Sequence, residues 1–399
     1  MSEKFEDKVR ITGIGMSQVG RRTMRDPVEL AVEACLAAVA DAGLERKEIE
    51  GLSCHPGPQD ARGYSGAGVA QVEEVLRLRP KWFASGAEIP GHTGAVVAAM
   101  LAVAAGLCRH ALVFRCTWET TAPLLARDPR YNQGLAQPDR AVSGEMMSYR
   151  LPYGAFSAAN WIGLAANRHF HLYGTKREHL GAIAINARRN AAHNPYAIYR
   201  EPLTMDDYLG ARMISTPFGL YDCDSPCDGA VAFVVSHRDC AKDTRRPNPI
   251  RPEAIGIQIT ERWSWDQGVI DQEPMLEGPA DSLWARTDLK PRDVNVAELY
   301  DGFTFNCLSW IEALGFCKRG EGGPFVEGGH RIALDGELPL NTHGGQLSAG
   351  RLQGFSFLHE ACVQLWGEGG RRQVPNDPRV ACVSSGGGAP GGAWLLVRD

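Results

Sequence analysis

Three glycine-rich segments hold the residues best suited to chemistry: Gly91–Cys108 (GHTGAVVAAMLAVAAGLC), Asn341–Gly354 (NTHGGQLSAGRLQG) and Ser384–Val397 (SSGGGAPGGAWLLV). Glycine lets a backbone approach a ligand closely and lets amides point at developing negative charge. Taken singly, each segment is equally readable as a tight turn between packed elements. His343 stands between Asn341 and the Gly344-Gly345 pair, as a general base, an oxyanion donor or a packed turn histidine. His92 lies at the start of a helix, where the helix N-terminus lowers imidazole basicity and suits a neutral donor. Arg351 carries a permanent positive charge, for an anionic group or for pairing with a neighbour such as Glu360. Ser384 and the amides of Gly386, Gly387 and Gly388 can line an oxyanion pocket. Tyr300 ends an apolar strand, and Asp301 either polarises it or caps the helix that follows.

The elements that must position these residues follow an α/β pattern. Val9–Ser17 (VRITGIGMS) is strand-like. Asp26-Pro27 then offers an N-cap with proline at the first helical position, and a helix spans Val28–Asp41 up to Gly43. The pattern recurs. Ala254–Thr260 reads as a strand, and PADSLWARTDLKPRDVNVAELYDGF parallels VELAVEACLAAVADAGLERKEIEGLSCHPG. An apolar helix follows in each half, Thr93–Leu107 and Phe305–Leu314, and each half closes on an apolar strand, Val231–Ser236 and Trp394–Val397. This is an internal duplication with a boundary near residues 240–252, where CAKDTRRPNP is charged and proline-rich. Residues 1–116 with 222–245 form one expected half and 246–399 the other. The stretch 117–221 does not repeat and reads as an inserted loop or cap domain. Its Arg188, Arg189 and NAAHNP segment either contacts a cofactor-like ligand or solvates a helix, and the second reading is preferred.

Composition bounds the function. The chain has 399 residues, a net charge of −5 and 44% hydrophobic residues, which argues against nucleic acid and membrane surfaces as partners. The Gly94–Gly106 run is too short to span a bilayer, and MSEKFEDKVR has no apolar signal core, so a cytoplasmic location is expected. Eleven scattered cysteines read as small hydrophobes in a reducing compartment. Cys223 and Cys227 have a CxxxC spacing with no second pair nearby, so no metal site is assigned and a loop is preferred.

Together, and in this order, the three segments resemble the thiolase superfamily, in its branch of sterol-carrier-type thiolases and lipid-transfer-protein homologues. NTHGGQLSAGRLQG resembles the segment where Asn-x-x-Gly-Gly precedes Gly-His-Pro. SSGGGAPGGA resembles the C-terminal Cys-x-Gly-Gly-Gly loop. ELYDGFTF resembles the Asn-Glu-Ala-Phe or His-Asp-Cys-Phe segment. The resemblance spans nearly the whole chain. It implies an α/β thiolase fold: two duplicated βαβαβ-type halves in a five-layer α-β-α-β-α core, with an inserted loop domain.

The departures direct the activity. Gly91 stands where a thiolase has its nucleophilic cysteine, Arg351 where it has the second-motif histidine, and Ser384 where it has the acid–base cysteine. Neither glycine nor a serine hydroxyl supplies the required thiolate or base. Tyr300 falls where thiolases place Asn or His beside the thioester oxygen. Thiolase-like steroid side-chain aldolases have lost the same cysteines and use tyrosine there, so the resemblance implies retro-aldol cleavage of a β-hydroxyacyl-CoA. Those aldolases carry a second tyrosine near where this chain has Arg351, a departure that leaves the second acid–base group open. Arg351 would then meet a thioester oxygen, a coenzyme A phosphate or a substrate carboxylate. Coenzyme A enters as part of the substrate, with no covalently bound cofactor. The resemblance further implies a homodimer and a small zinc-ribbon and OB-fold partner in an α2β2 complex. Two other readings stay open. One is a thiolase-type acyltransferase in which Cys54, Cys116 or Cys382 reaches the thioester. The other is a non-catalytic subunit that binds acyl-CoA or lipid.

Overall fold

The computed structural model describes residues 3–56, 63–86, 93–129, 150–258, 277–387 and 391–399. Strand β1 (Val9–Met16) leads to α1 (Pro27–Ala42), whose N-cap Asp26 accepts the Val28 amide at 2.7 Å. Gly43 closes α1 in the left-handed region at φ 70°. Then follow β2 (Gly51–Cys54), α2 (Val69–Leu76), β3 (Trp82–Ser85), α3 (Gly94–Ala104) and β4 (His110–Trp118). The insertion contributes α4 (Ala158–Tyr173), α5 (Arg177–Ala191) and a small ribbon of β5 (Met213–Ser215) and β6 (Phe218–Gly219). β7 (Asp228–His237) returns to the first sheet. The second half runs β8 (Arg251–Gln258), α6 (Glu277–Trp284), β9 (Val296–Glu298), α7 (Thr304–Ala313), α8 (Gly354–Leu365), β10 (Val380–Ser385) and β11 (Gly391–Val397).

The two sheets repeat one plan. The first has the order β1-β7-β4-β2-β3 and the second β8-β11-β10-β9. In each, the entering strand pairs antiparallel with the last strand of its half, and the inner pair, β2–β4 or β9–β10, is parallel. α1 packs on the outer face of the first sheet, and α6 on β8 and β11 of the second. α3 lies against β2, β4 and β7, while α8 touches β9 and β10 on one side and β1 and β7 on the other. These two helices form the middle of five layers, and their small, apolar sequences allow it. Alanine, valine and glycine cover most of α3, which is buried nearly all round. The duplication expected from the sequence is the architecture. Among the described residues no helix is long and apolar enough to cross a membrane.

Candidate active site

The loop Asn341–Gly350 crosses the end of β9, and its shape is set by side chains that replace missing backbone partners. Asn341 works like a strand residue: Oδ1 accepts the Leu299 amide at 2.7 Å and Nδ2 donates to the Leu299 carbonyl at 2.9 Å. The same Nδ2 reaches Asp301 Oδ2 at 3.1 Å. Asp301 Oδ1 accepts the Gln346 amide at 2.7 Å. Asp301 therefore polarises no phenol and caps no helix. The N-cap of α7 is Phe303, whose amide is satisfied by Asn306 at 3.1 Å. Burial pushes the Asp301 carboxyl up to about 7, against the pull of the Gln346 amide, His343 and Asn341. Gly345, at φ 58°, is required here, because a Cβ on it would lie 1.8 Å from Asp301 Oδ2.

The insertion holds this loop from the other side. α5 presents asparagines four residues apart. Asn186 and Asn190 donate to the Leu340 carbonyl at 3.1 and 2.9 Å, and Asn190 also reaches that of Asn341 at 3.2 Å. Beyond the helix end, Asn194 donates to the His343 carbonyl at 2.9 Å. Gly344, at φ 106°, lets α5 approach, since a Cβ there would meet the Ala191 methyl at 2.6 Å. Arg188 does not solvate the helix. It is buried, donates to Ser348 Oγ at 3.0 Å and the Glu201 carbonyl at 3.2 Å, and lies over the rings of Tyr199 and Tyr221.

His343 is buried, with Nδ1 3.0 Å from Glu298 Oε2. Its Nε2 has no hydrogen-bond partner among the described residues. Burial would lower its basicity, but the Glu298 carboxylate outweighs this and raises it. Tyr300 is also buried, and its ring and that of His343 both pack against Phe357, with centroids 6.3 and 5.3 Å away. The phenol lies across the backbone of Gly302, where a Cβ would be 2.8 Å from the hydroxyl. Burial, with Asp224 nearby, holds the Tyr300 phenol far above its ordinary range, so it is protonated at neutral pH.

Arg351 is only partly buried and does not pair with Glu360. Its Nε donates to Glu119 at 2.8 Å and its Nη1 to Asp224 at 3.0 Å, and Glu360 is instead forked by Arg372. Burial pushes Asp224 up to about 6 even so. Ser384 Oγ accepts the Tyr300 amide at 2.9 Å, so its hydroxyl positions the strand end. The Gly386 and Gly387 carbonyls accept from Trp310 Nε1 at 2.8 Å and Asn306 Nδ2 at 3.0 Å, which fixes the orientation of that turn. His92 and Gly388 lie outside the described residues. The expectations missed Glu298, Asp224, Gln346 and the asparagines of α5. Among the described residues no group of three or more His, Cys, Asp or Glu is placed to hold a metal ion.

The fold and this loop define a thiolase-type acyl-handling protein. Residues 279–397 match the thiolase C-terminal domain-like family. A steroid side-chain-cleaving aldolase of Thermomonospora curvata is 31% identical over 397 residues, covering 98% of this chain and 97% of that protein. A 17-hydroxy-3-oxo-4-pregnene-20-carboxyl-CoA lyase of Mycobacterium tuberculosis is 32% identical, covering 90% and 91%. The solved structure of the Ltp2-ChsH2(DUF35) aldolase superposes with a TM-score of 0.84 at 30% identity over 98% of both chains. Human mitochondrial 3-ketoacyl-CoA thiolase, at 13% identity and a TM-score of 0.67, shares the fold. The chain belongs to the thiolase superfamily, in its group of thiolase-like aldolases, which are carbon–carbon lyases.

Proposed function

We propose that this chain cleaves a β-hydroxyacyl-CoA by retro-aldol chemistry, giving a ketone and a shorter acyl-CoA, with a degraded steroid side chain as the bulky acyl group. One observation carries the assignment of roles. A histidine with one open ring nitrogen and a carboxylate behind it shares a wall with a tyrosine held in its protonated form. In the forward step His343 Nε2 takes the proton of the tertiary hydroxyl. The O–H electron pair becomes the new carbonyl, the carbon–carbon bond breaks, and its electrons move to the thioester oxygen as an enolate. Tyr300 gives its phenolic proton to the α-carbon, and the proton on His343 then returns to the tyrosinate. Ser384 and Asp301 act by position, through the Tyr300 amide and the Gln346 amide. Gly345, Gly386 and Gly387 give the backbone its close approach.

No covalent nucleophile is required, and the thiols fit that reading. Burial pushes Cys54 and Cys116 up to about 12 and Cys382 higher still, so none supplies a thiolate at neutral pH. The Ltp2-ChsH2(DUF35) aldolase joins two components by its name, and a small zinc-ribbon and OB-fold partner is proposed for this chain. A homodimer through β3 is proposed with it, because among the described residues β3 is the edge strand of its sheet, with Phe83 exposed. The same reading treats 1–116 with 222–245 and 246–399 as the two halves and 117–221 as the cap, in a cytoplasmic protein.

The test is incubation with tertiary β-hydroxyacyl-CoA esters, with and without the partner, in the absence of free coenzyme A. Release of a ketone and a shortened acyl-CoA, lost in Tyr300→Phe, is expected. Cleavage of a β-ketoacyl-CoA that requires free coenzyme A would instead mean thiolysis. Tight acyl-CoA binding without turnover would mean a binding subunit.

A further inference from the structure

Gln346 is fully buried, and neither end of its carboxamide has a hydrogen bond of ordinary geometry among the described residues. Leaving a buried amide unpaired is costly. The side chain is nonetheless well placed, because its backbone is pinned on both sides. The Gln346 amide donates to Asp301 Oδ1 at 2.7 Å, and its carbonyl accepts from the Ser225 amide at 3.0 Å. It lies within one turn of π-helix, Gly345–Ala349. The bond to Asp301, the residue that follows Tyr300, brings Gln346 to the end of the same strand, and its carboxamide interacts with the Tyr300 hydroxyl.

We propose that Gln346 is a catalytic residue that donates a hydrogen bond from Nε2 to the thioester oxygen of the acyl-CoA. This rests on the reading of the Tyr300 site given above and adds the group that meets the developing charge. As the carbon–carbon bond breaks, its electron pair passes through the α-carbon to that oxygen, and the Gln346 N–H stabilises the enolate without giving up its proton. A preorganised donor in a dry pocket acts on the transition state more than on the bound substrate. The ligand completes the hydrogen bonding of an amide that the protein leaves incompletely paired.

The experiment uses propionyl-CoA in D2O as the probe, because exchange of its α-hydrogen needs the enolate and no ketone. The wild-type protein is expected to incorporate deuterium. Gln346→Leu, and Gln346→Glu at nearly the same volume, are expected to slow exchange roughly 100- to 1,000-fold, with little change in the acyl-CoA concentration at half-maximal rate. The melting temperature of Gln346→Leu is expected to be unchanged or higher, since an unpaired polar group is removed. A folded variant that exchanges at the wild-type rate overturns the inference, while loss of cleavage in Tyr300→Phe leaves the retro-aldol reading standing. Cleavage that survives in Tyr300→Phe, with exchange still slowed in Gln346→Leu, overturns the assignment of Tyr300 and keeps this one. A wild-type protein that exchanges no α-hydrogen overturns both.

Discussion

His343 Nδ1 lies 3.0 Å from Glu298 Oε2, and the other oxygen of that carboxylate is held by the Thr342 amide at 3.0 Å and its hydroxyl at 2.7 Å. The carboxylate cannot swing away, so it fixes both the tautomer and the basicity of the ring. A general base works unprotonated, so cleavage should rise with pH along a limb above the ordinary imidazole value of about 6.5. In Glu298→Gln the largest upward pull on His343 is gone, leaving the burial that lowers it against the weaker pull of Glu360 and Asp301. The limb should move to lower pH while the maximal rate falls by about 10- to 100-fold. A pH–rate profile of both proteins checks this.

Gly345→Ala should damage the loop that carries His343 and Gln346. The new methyl would overlap Asp301 at a position already in the left-handed region. A loss of about 3 kcal/mol or more is expected, read as a lower urea midpoint with an unchanged slope.

Arg351→Met should strand Glu119 and Asp224 without their cation, at a cost of about 3 kcal/mol near neutral pH. The pH dependence has a definite sign. Asp224 binds its proton more tightly folded, at about 6, than unfolded, at about 4. Its contribution to stability is full below the unfolded value and lost as pH rises through the folded one. Removing Arg351 raises the folded value further, so the deficit of the variant should be smallest near pH 5 and grow toward pH 8. Denaturation midpoints across that range measure it.

Asn190→Ala removes one of two donors from each of the Leu340 and Asn341 carbonyls, which keep Asn186 and the Gly344 amide. About 1 kcal/mol of stability should be lost. Because the loop below carries the proposed base, the maximal rate should fall more than the apparent substrate affinity. Steady-state kinetics beside a melting curve separate the two effects.

The fold was legible because its halves repeat one order of strand and helix, and a duplicated pattern constrains itself. The site was legible only where a residue type speaks for itself. His343 and Tyr300 are such residues. Glu298 could have been found, since a carboxylate between the apolar residues of a short strand demands a partner. The asparagines at 186 and 190 also gave a signal, a four-residue spacing on one helix face, beside arginines that read as solvating the helix. The partners of Arg351 were hidden, because Glu119 and Asp224 are 232 and 127 positions away in the chain. Gln346 left no trace at all in the sequence. An unpaired amide is defined by what folds around it.

The place of β7 bears on how the molecule is made. β7 sits between β1 and β4, pairing Met16 with Val231 and His110 with Ser236, so the first sheet gains an inner strand from far downstream. A growing chain that has completed β4 still holds two open strand edges facing each other. They stay unpaired while the whole insertion is synthesised, a span in which such edges invite association with other chains. Long-range pairing of this kind also slows folding once the chain is free. The rate at which this protein reaches its native state should therefore be set by the arrival of β7, and its yield by how well the open edges are shielded until then.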